Sequence, residues 1–530
     1  MDEAVAGGYG RFGRLFPRQI GIEYSEDALW QLAETMIKAD DGQFFNQSDE
    51  DENVLIPAGY TYFGQFVDHD LTLDTTSIGE RENDPAAVEN FRTARFDLDS
   101  IYSSGPVAAP HLYDDDYGLL VGPDKAPTPP GPVQTRHDHI RGPRDHALIG
   151  DPRNDENSIV AQIHTAFIAF HNKVIRDPVL MSGLTEKWDR FRRATQITRW
   201  HYQWVIVHDF LKRVTQPEIY ADILQTGSLP RLRYYRPSET PYPFMPIEFS
   251  GAAYRFGHSM VRPGYALNQF VGTQQTGSKR IPIFKPNAGD LEDLHGFRPL
   301  PGSWGIDWGY FLELPGNSPS DQAGTGTLQP SYRIDTLLVE GLARLPDHAD
   351  QSLRRQSLPF LNLLRGSMLR LPSAEQVASE MALPIGGIGK FPLVDPDAIW
   401  SAGSRMASPD EPELSDLRAA RRDLRALFTD GAGQGHTPLW YYILREAEWY
   451  ATWSSAEDPQ GSGAHGGEAD IFGGHHLGPM GSTIVLETFL GLLVADPFSI
   501  LHKPGWRPMA PIADPAKPFG LAQLIEWALT

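Results

Sequence analysis

Residues 61–72 read TYFGQFVDHDLT. If the stretch is helical, Gln65 and His69 stand four residues apart and stack on one face. Asp68 then lies about a quarter turn to one side of His69 and Asp70 the same distance to the other, so the two carboxylates diverge by roughly 200°. One face offers an amide and an imidazole, with one carboxylate beside them and one aimed elsewhere. A partly exposed helix with a solvated acidic end accounts for the same residues.

The chain has 530 residues, long enough for one large domain or up to three ordinary ones. Its hydrophobic and charged fractions, 41% and 22%, are those of a globular protein. A net charge of −22 argues against nucleic acid and against an anionic membrane surface as partners. There is no cysteine, which excludes disulfides, thiolate metal sites and thiol nucleophiles. Any metal must take His, carboxylate or carbonyl ligands, a set that suits haem iron or calcium. The N-terminal MDEAVAGGYGRFGRLF lacks the apolar core of a cleaved signal. The expected location is therefore the cytoplasm, or outside the cell by a route without a cleavable signal. The longest apolar run, near Phe489–Ala495, is too short to span a bilayer.

Periodicity predicts helices over about 25–38, 59–71, 157–176, 187–213, 247–261, 333–343, 414–428, 437–453 and 480–494. Strand alternation is scarce, so the predicted class is mainly α. Pro-rich excursions at 104–146 and 262–332 and a glycine loop at 461–476 read as long loops that wrap the domain or frame a site. The expected layout is an N-terminal extension over 1–50, a catalytic domain over 51–500 and a C-terminal segment over 501–530.

Four further stretches carry candidate chemistry. In FRTARFDLDSIY (91–102), Thr93, Asp97 and Asp99 alternate, with the Arg95 carbonyl between them. That pattern suits a hard cation, and Asp70 could supply another oxygen; a plain polar turn is the other reading. In GDPRNDENSIVAQIHTAFIAFHNKVI (150–175), Arg153 and Glu156 form either a surface pair or a permanent cation set near an anion. His164 and His171, seven apart on an apolar face, read as packed helix residues. In AAYRFGHSMVRPG (252–264), His258 is a core histidine or a ligand. In LPFLNLLRGSMLRLPS (358–373), the buried Asn362 needs a partner, and it could accept the second N–H of a ligating His258.

Taken in order, GQFVDHDLT, RTARFDLDSIY, GDPRNDEN, YRFGH and LPFLNLLRG resemble the animal-type haem peroxidases of the peroxidase–cyclooxygenase superfamily, most of all its bacterial members. The resemblance runs from about residue 55 to 500. It implies a helical fold enclosing haem b, and reduction of hydrogen peroxide through a high-valent iron–oxo haem. A halide, thiocyanate or phenol-like donor would be oxidised. By that resemblance His69 is the distal histidine, Gln65 its companion and Arg153 the distal arginine. His258 is the iron ligand and Asn362 its acceptor. Asp70, Thr93, Arg95 (by its carbonyl), Asp97 and Asp99 match a calcium loop. Asp68 and Glu156 match carboxylates that are ester-linked to haem in animal members, and Arg255 and Arg365 match contacts of the propionates.

Asn157 stands where the strongest chloride oxidisers carry a haem-bonded methionine, so a sulfonium link and strong chloride oxidation are not expected. The main rival is a fatty-acid dioxygenase of the same superfamily. Those enzymes use a tyrosine three residues before the proximal histidine. Here that position is Arg255, with Tyr254 one step away, about 100° round a helix. A non-catalytic haem binder is a second alternative. A His/Asp hydrolase built on HDHIRGPRDH or GGHH is a third, and it lacks a matching carboxylate frame.

Overall fold

The computed structural model describes residues 10–38, 51–73, 89–90, 92–225, 228–236, 243–273, 280–285, 293–314, 328–349, 351–381, 394–400, 421–457 and 473–530. The longer helices are α1 (Glu26–Glu34), α2 (Gly59–Leu71), α3 (Ser158–Arg176), α4 (Lys187–Val205), α5 (Leu358–Met368), α6 (Leu439–Glu457), α7 (Pro479–Ala495) and α8 (Leu521–Leu529). Strands are short and peripheral. Gly10–Gly13 pairs with Glu89–Asn90 and with Phe244–Pro246, and Glu52–Pro57 pairs with Pro330–Tyr332. The class is mainly α, as the scarcity of alternation predicts. Among the described residues, no helix is long and apolar enough to cross a membrane.

The core forms where aromatic residues of α2, α3 and α4 meet. Phe66 stacks on Phe167 with ring centroids 5.0 Å apart, and Tyr202 meets Phe167 edge-on at 5.7 Å. Phe63 meets Phe210 edge-on at 5.6 Å. All five rings are at most 1% exposed. Truncating such a ring to alanine costs about 3–5 kcal/mol, so this cluster sets the relative placement of the three helices. Helix α7 is buried on every side from Pro479 to Leu493. Its one carboxylate, Glu487, accepts the backbone N–H groups of Arg233, Tyr234 and Tyr235. Helix α8 lies on α3, where Trp527 packs on Phe170 and its carbonyl accepts from Lys173 Nζ at 2.6 Å.

Helix α2 runs over the predicted 59–71. Its start has no side-chain cap; instead the Gly59 N–H donates to the Phe311 carbonyl at 2.9 Å. Helix α3 starts at an Asn157 cap whose side chain accepts from the N–H groups of Ile159 and Val160, the use of asparagine that a helix start favours. The predicted 187–213 helix is continuous but passes through a π turn at Ile206–Phe210.

Three predicted helices differ from the structure. Residues 247–261 split into a short helix, Ile247–Ser250, and a 3-10 segment, Ala253–His258. The break falls at Gly251, where a side chain would meet the Ile247 carbonyl at 2.7 Å and Leu369 at 3.0 Å, followed by the non-helical Ala252. Residues 333–343 hold the strand Leu338–Val339 and a 3-10 turn, because Leu338 donates to the Met36 carbonyl beside the Ile37–Lys38 strand. Helix α1 stops at Glu34, since residues 37–38 belong to that strand pair. Of the predicted 414–428 helix and 461–476 loop, residues 414–420 and 461–472 lie outside the described residues.

Burial pushes the imidazoles of His171 and His201 down to about 4. An unfolded histidine takes up a proton below about 6.5, whereas these folded rings stay neutral until near 4. Stability is therefore full above pH 6.5 and drains as pH falls from 6.5 to 4, by about 1.4 kcal/mol per pH unit for each ring. In calorimetric unfolding across that window, His201→Phe should flatten the slope by one proton's share, and an unchanged slope would refute the assignment.

Candidate active site

The last two turns of α2 present Gln65, Asp68, His69 and Asp70 in three directions, as their spacing requires. His69 is 3% exposed. Its Nδ1 lies 2.8 Å from Asn154 Oδ1, and its Nε2 lies 3.6 Å from Glu156 Oε1. The Gln65 amide donates to the same Glu156 oxygen, and Gln65 Oε1 accepts from Asn157 at 3.0 Å. Asp68 turns to a cavity of ≈ 210 Å³ that Arg153, Arg255 and Arg365 also line.

Arg153 does not reach His69 by its ring. Its NH2 donates to the main-chain carbonyls of His69, at 3.2 Å, and of Thr72. There a cation complements the negative end of a helix. The guanidinium is also paired with Asp151, 2.8 Å from NH2 and 3.1 Å from Nε. Asp151 is fully buried and holds Arg92 as well, at 2.6 Å. Burial alone would raise its pKa, but hydrogen bonding and charge from Arg153, together with His69 and Arg92, bring it well below the usual carboxylate range.

The second wall is the Ala253–His258 segment, joined to α2 by a hydrogen bond from the Tyr254 hydroxyl to the Gly64 carbonyl at 3.1 Å. His258 Nδ1 meets Asn362 Nδ2 at 2.8 Å, so the expected partners are together. The polarity differs from the expectation. Arg255 NH1 donates to Asn362 Oδ1 at 2.8 Å, and a guanidinium can only donate, so the oxygen faces Arg255 and the NH2 faces the imidazole. For Asn362 to accept from His258, its amide must turn over and release Arg255. Burial, with a contribution from Arg255, holds His258 neutral, its pKa lowered to about 3.

The residues fit the haem that the motifs imply. His258 Nε2 makes no hydrogen bond among the described residues, which leaves a neutral imidazole nitrogen for a metal. A side chain at the adjacent Gly257 would meet open space within 4 Å. Gly64, Gln65 and Asp68 on α2 and Arg255, Gly257 and His258 opposite all keep partial exposure beside buried neighbours. Three guanidiniums at the rim suit the carboxylates of such a group.

The calcium expectation meets an equally specific geometry. Loop residues Ala94, Phe96 and Leu98 are buried, while Thr93, Arg95, Asp97 and Asp99 alternate with them on the other side. Carboxylate oxygens of Asp70, Asp97 and Asp99 lie within 4.8 Å of one another. Asp70 is fully buried, and neither of its oxygens has a hydrogen-bond partner among the described residues. Burial, then Asp97 and Asp99, pushes the Asp70 pKa well up, and burial with Asp97 raises Asp99 to about 7. A divalent cation would remove that cost, and the Thr93 hydroxyl, which donates to Asp97 at 3.0 Å, stands beside it.

The animal haem peroxidase family model matches residues 74–292. Peroxidase A from Dictyostelium discoideum is similar in structure, with a TM-score of 0.56 at 12% identity, over 98% of this chain and 93% of that one. The fatty acid alpha-dioxygenase of Oryza sativa is similar with a TM-score of 0.52 at 14% identity, over 99% of this chain and 80% of that one. No curated protein sequence matches. At such identities the solved structures speak for the fold alone. The family match thus covers residues 74–292, and the fold is shared with a peroxidase and with a fatty acid dioxygenase.

Sequence reasoning missed Asp151, Arg92, Asn154 and His164 as parts of this site. Asn154 follows Arg153 and Asp151 stands two residues before it in the motif itself, and that proximity is the signal that could have found them.

Removing divalent ions with a chelator should lower Tm, and adding calcium back should restore it. Asp70→Asn should abolish the calcium-dependent part of the rise; an undiminished response in that variant would place the ion elsewhere.

Proposed function

We propose that the chain is a haem peroxidase that reduces hydrogen peroxide and oxidises a halide, thiocyanate or phenol-like donor. One observation carries the reading: two imidazoles, the buried His69 and the partly exposed His258, come from opposing elements, each with Nδ1 on an asparagine and Nε2 without a hydrogen bond among the described residues. Their neighbours divide the two roles. His69 has a carboxylate and an amide beside its Nε2, whereas His258 has Arg255 and an open space.

His258 would hold haem by Nε2, Arg255 and Arg365 would meet its propionates, and Asp68 and Glu156 would stand at its edge. Bound haem supplies the two-electron oxidising chemistry. The chain's own part is proton transfer. His69 Nε2 takes the proton that peroxide must lose and returns it to the departing oxygen. Glu156, 3.6 Å away, stabilises the imidazolium between those events for as long as it is a free carboxylate and not an ester. Arg153 contributes positive charge at the rim and fixes the end of α2. Asp70, Asp97, Asp99, Thr93 and the Arg95 carbonyl would bind calcium and hold that helix from its outer side. Asn157 caps α3 and bonds Gln65, a polar role that favours bromide, iodide, thiocyanate or organic donors over chloride.

The dioxygenase alternative needs a tyrosyl group aimed at the haem. Tyr254 spends its hydroxyl on the Gly64 carbonyl, and its ring is stacked on Phe249 at 4.7 Å. Oxygen uptake with a long-chain fatty acid in the absence of peroxide would favour that alternative.

His258→Ala should abolish the Soret band of haem-loaded protein. His69→Ala should keep it yet slow the stopped-flow reaction with peroxide by about 10²–10⁴-fold. Equal losses of haem and rate in the His69 variant would refute the proton-transfer role. After cycling with peroxide, acid–acetone extraction should leave part of the haem on the protein, and Asp68→Ala with Glu156→Ala should release all of it. Complete extraction from the unmodified chain would rule the ester links out.

A further inference from the structure

We infer that Asn154 is a positioning residue for His69, and that His164 sets the orientation of Asn154. The inference rests on the reading of His69 as the proton acceptor and names what makes it one. Asn154 is fully buried in the Pro152–Asp155 turn, between two imidazoles. Its Oδ1 lies 2.8 Å from His69 Nδ1, and its Nδ2 lies 2.9 Å from His164 Nδ1. An amide oxygen only accepts and an amide nitrogen only donates. The proton of His69 is therefore on Nδ1, and Nε2, the nitrogen nearest Glu156, carries the lone pair. His164 Nδ1 must be bare to accept from Asn154.

His164 suits that task. It is 1% exposed on α3, and burial, with His139 beside it, keeps its imidazole uncharged. His139 packs edge-on against it, with ring centroids 4.9 Å apart. His139 also donates from Nε2 to the Asn154 main-chain carbonyl at 3.2 Å, and the Asn154 N–H donates to the Asp151 carbonyl at 3.1 Å. The asparagine is thus fixed at its backbone as well as its side chain. Asn154 has no exposed surface, so its amide is held among these groups. The arrangement reads as a chain His164–Asn154–His69 that chooses one of two tautomers.

The test uses the haem-loaded protein. In ¹⁵N-histidine NMR of its diamagnetic ferrous–carbon monoxide form, the His69 signal, assigned by its loss in His69→Gln, should show a protonated Nδ1 and a bare Nε2. The opposite tautomer overturns the inference without any Asn154 variant. Cyanide association gives a second readout, because hydrogen cyanide must also lose a proton on binding. Asn154→Leu, close in volume, should slow it by about 10–100-fold with the Soret band and haem content retained, and Asn154→Asp, which keeps an oxygen at that place, should recover to within about threefold of the unmodified rate. His164→Phe should leave His69 as a mixture of tautomers. An unchanged cyanide rate in Asn154→Leu, beside a slow His69→Ala, overturns the positioning role alone. Unchanged cyanide and peroxide rates in His69→Ala would overturn the proton-acceptor reading, and this inference with it.

Discussion

Asp151 is a carboxylate with no solvent contact, gripped by two guanidiniums, Arg92 and Arg153. Such an arrangement acts as a unit, because removing the anion would take the nearest carboxylate from the buried Arg92 and the partner of two nitrogens from Arg153. Each arginine extends the unit in a different direction. Arg153 fastens the carbonyl end of α2, and Arg92 reaches Asp99 of the acidic loop at 3.2 Å. The acidic loop and the helix that carries His69 are thereby fixed with respect to one buried charge. The aromatic core places α2 among its neighbours, and this ionic knot decides where its last turn stops.

Within that turn, the α-helical period separates tasks that would otherwise interfere. Asp70 points into the acidic cluster, His69 towards Asn154 and Asp68 into the arginine-lined cavity. Asp70 lies with the acidic loop, away from the His69 nitrogen that faces Glu156. The opposing segment is wound more tightly. As a continuous 3-10 segment over Ala253–His258, it carries Arg255 and His258, three residues apart, to the same wall, where both contact Asn362. The same amide therefore answers to a cation and an imidazole, and the two cannot both have its oxygen.

The parts of the site legible in the sequence are those fixed by local period. The bounds of α2 and the alternation from Thr93 to Asp99 follow from spacing and residue type, whereas the pairing of His258 with Asn362, 104 positions apart, rests on a buried amide's need for a partner. What escaped was set by distant chain. The role of Asn154 depends on His164, ten residues on in the next helix, where an apolar periodicity hides it. Asp151 reads as a helix-start residue until Arg92 arrives from 59 positions earlier. Residues 333–343 have a helical pattern, yet the edge at Ile37–Lys38 claims them for a strand. In each case a tertiary partner outbid local propensity.

The π turn at Ile206–Phe210 has a consequence for how this helix tolerates change. A π turn holds one residue more than the α turn it replaces, so everything beyond it is rotated by about 100° from where an unbroken helix would put it. That offset carries Asp209 to the Tyr60 hydroxyl at 2.6 Å and to the Leu521 N–H at 2.8 Å, and it seats Phe210 against Phe63. Deleting a single residue here would leave a more regular helix and a worse protein, because the smoother ladder would swing the aspartate and the phenyl ring away from α2 and from the start of α8, which they join.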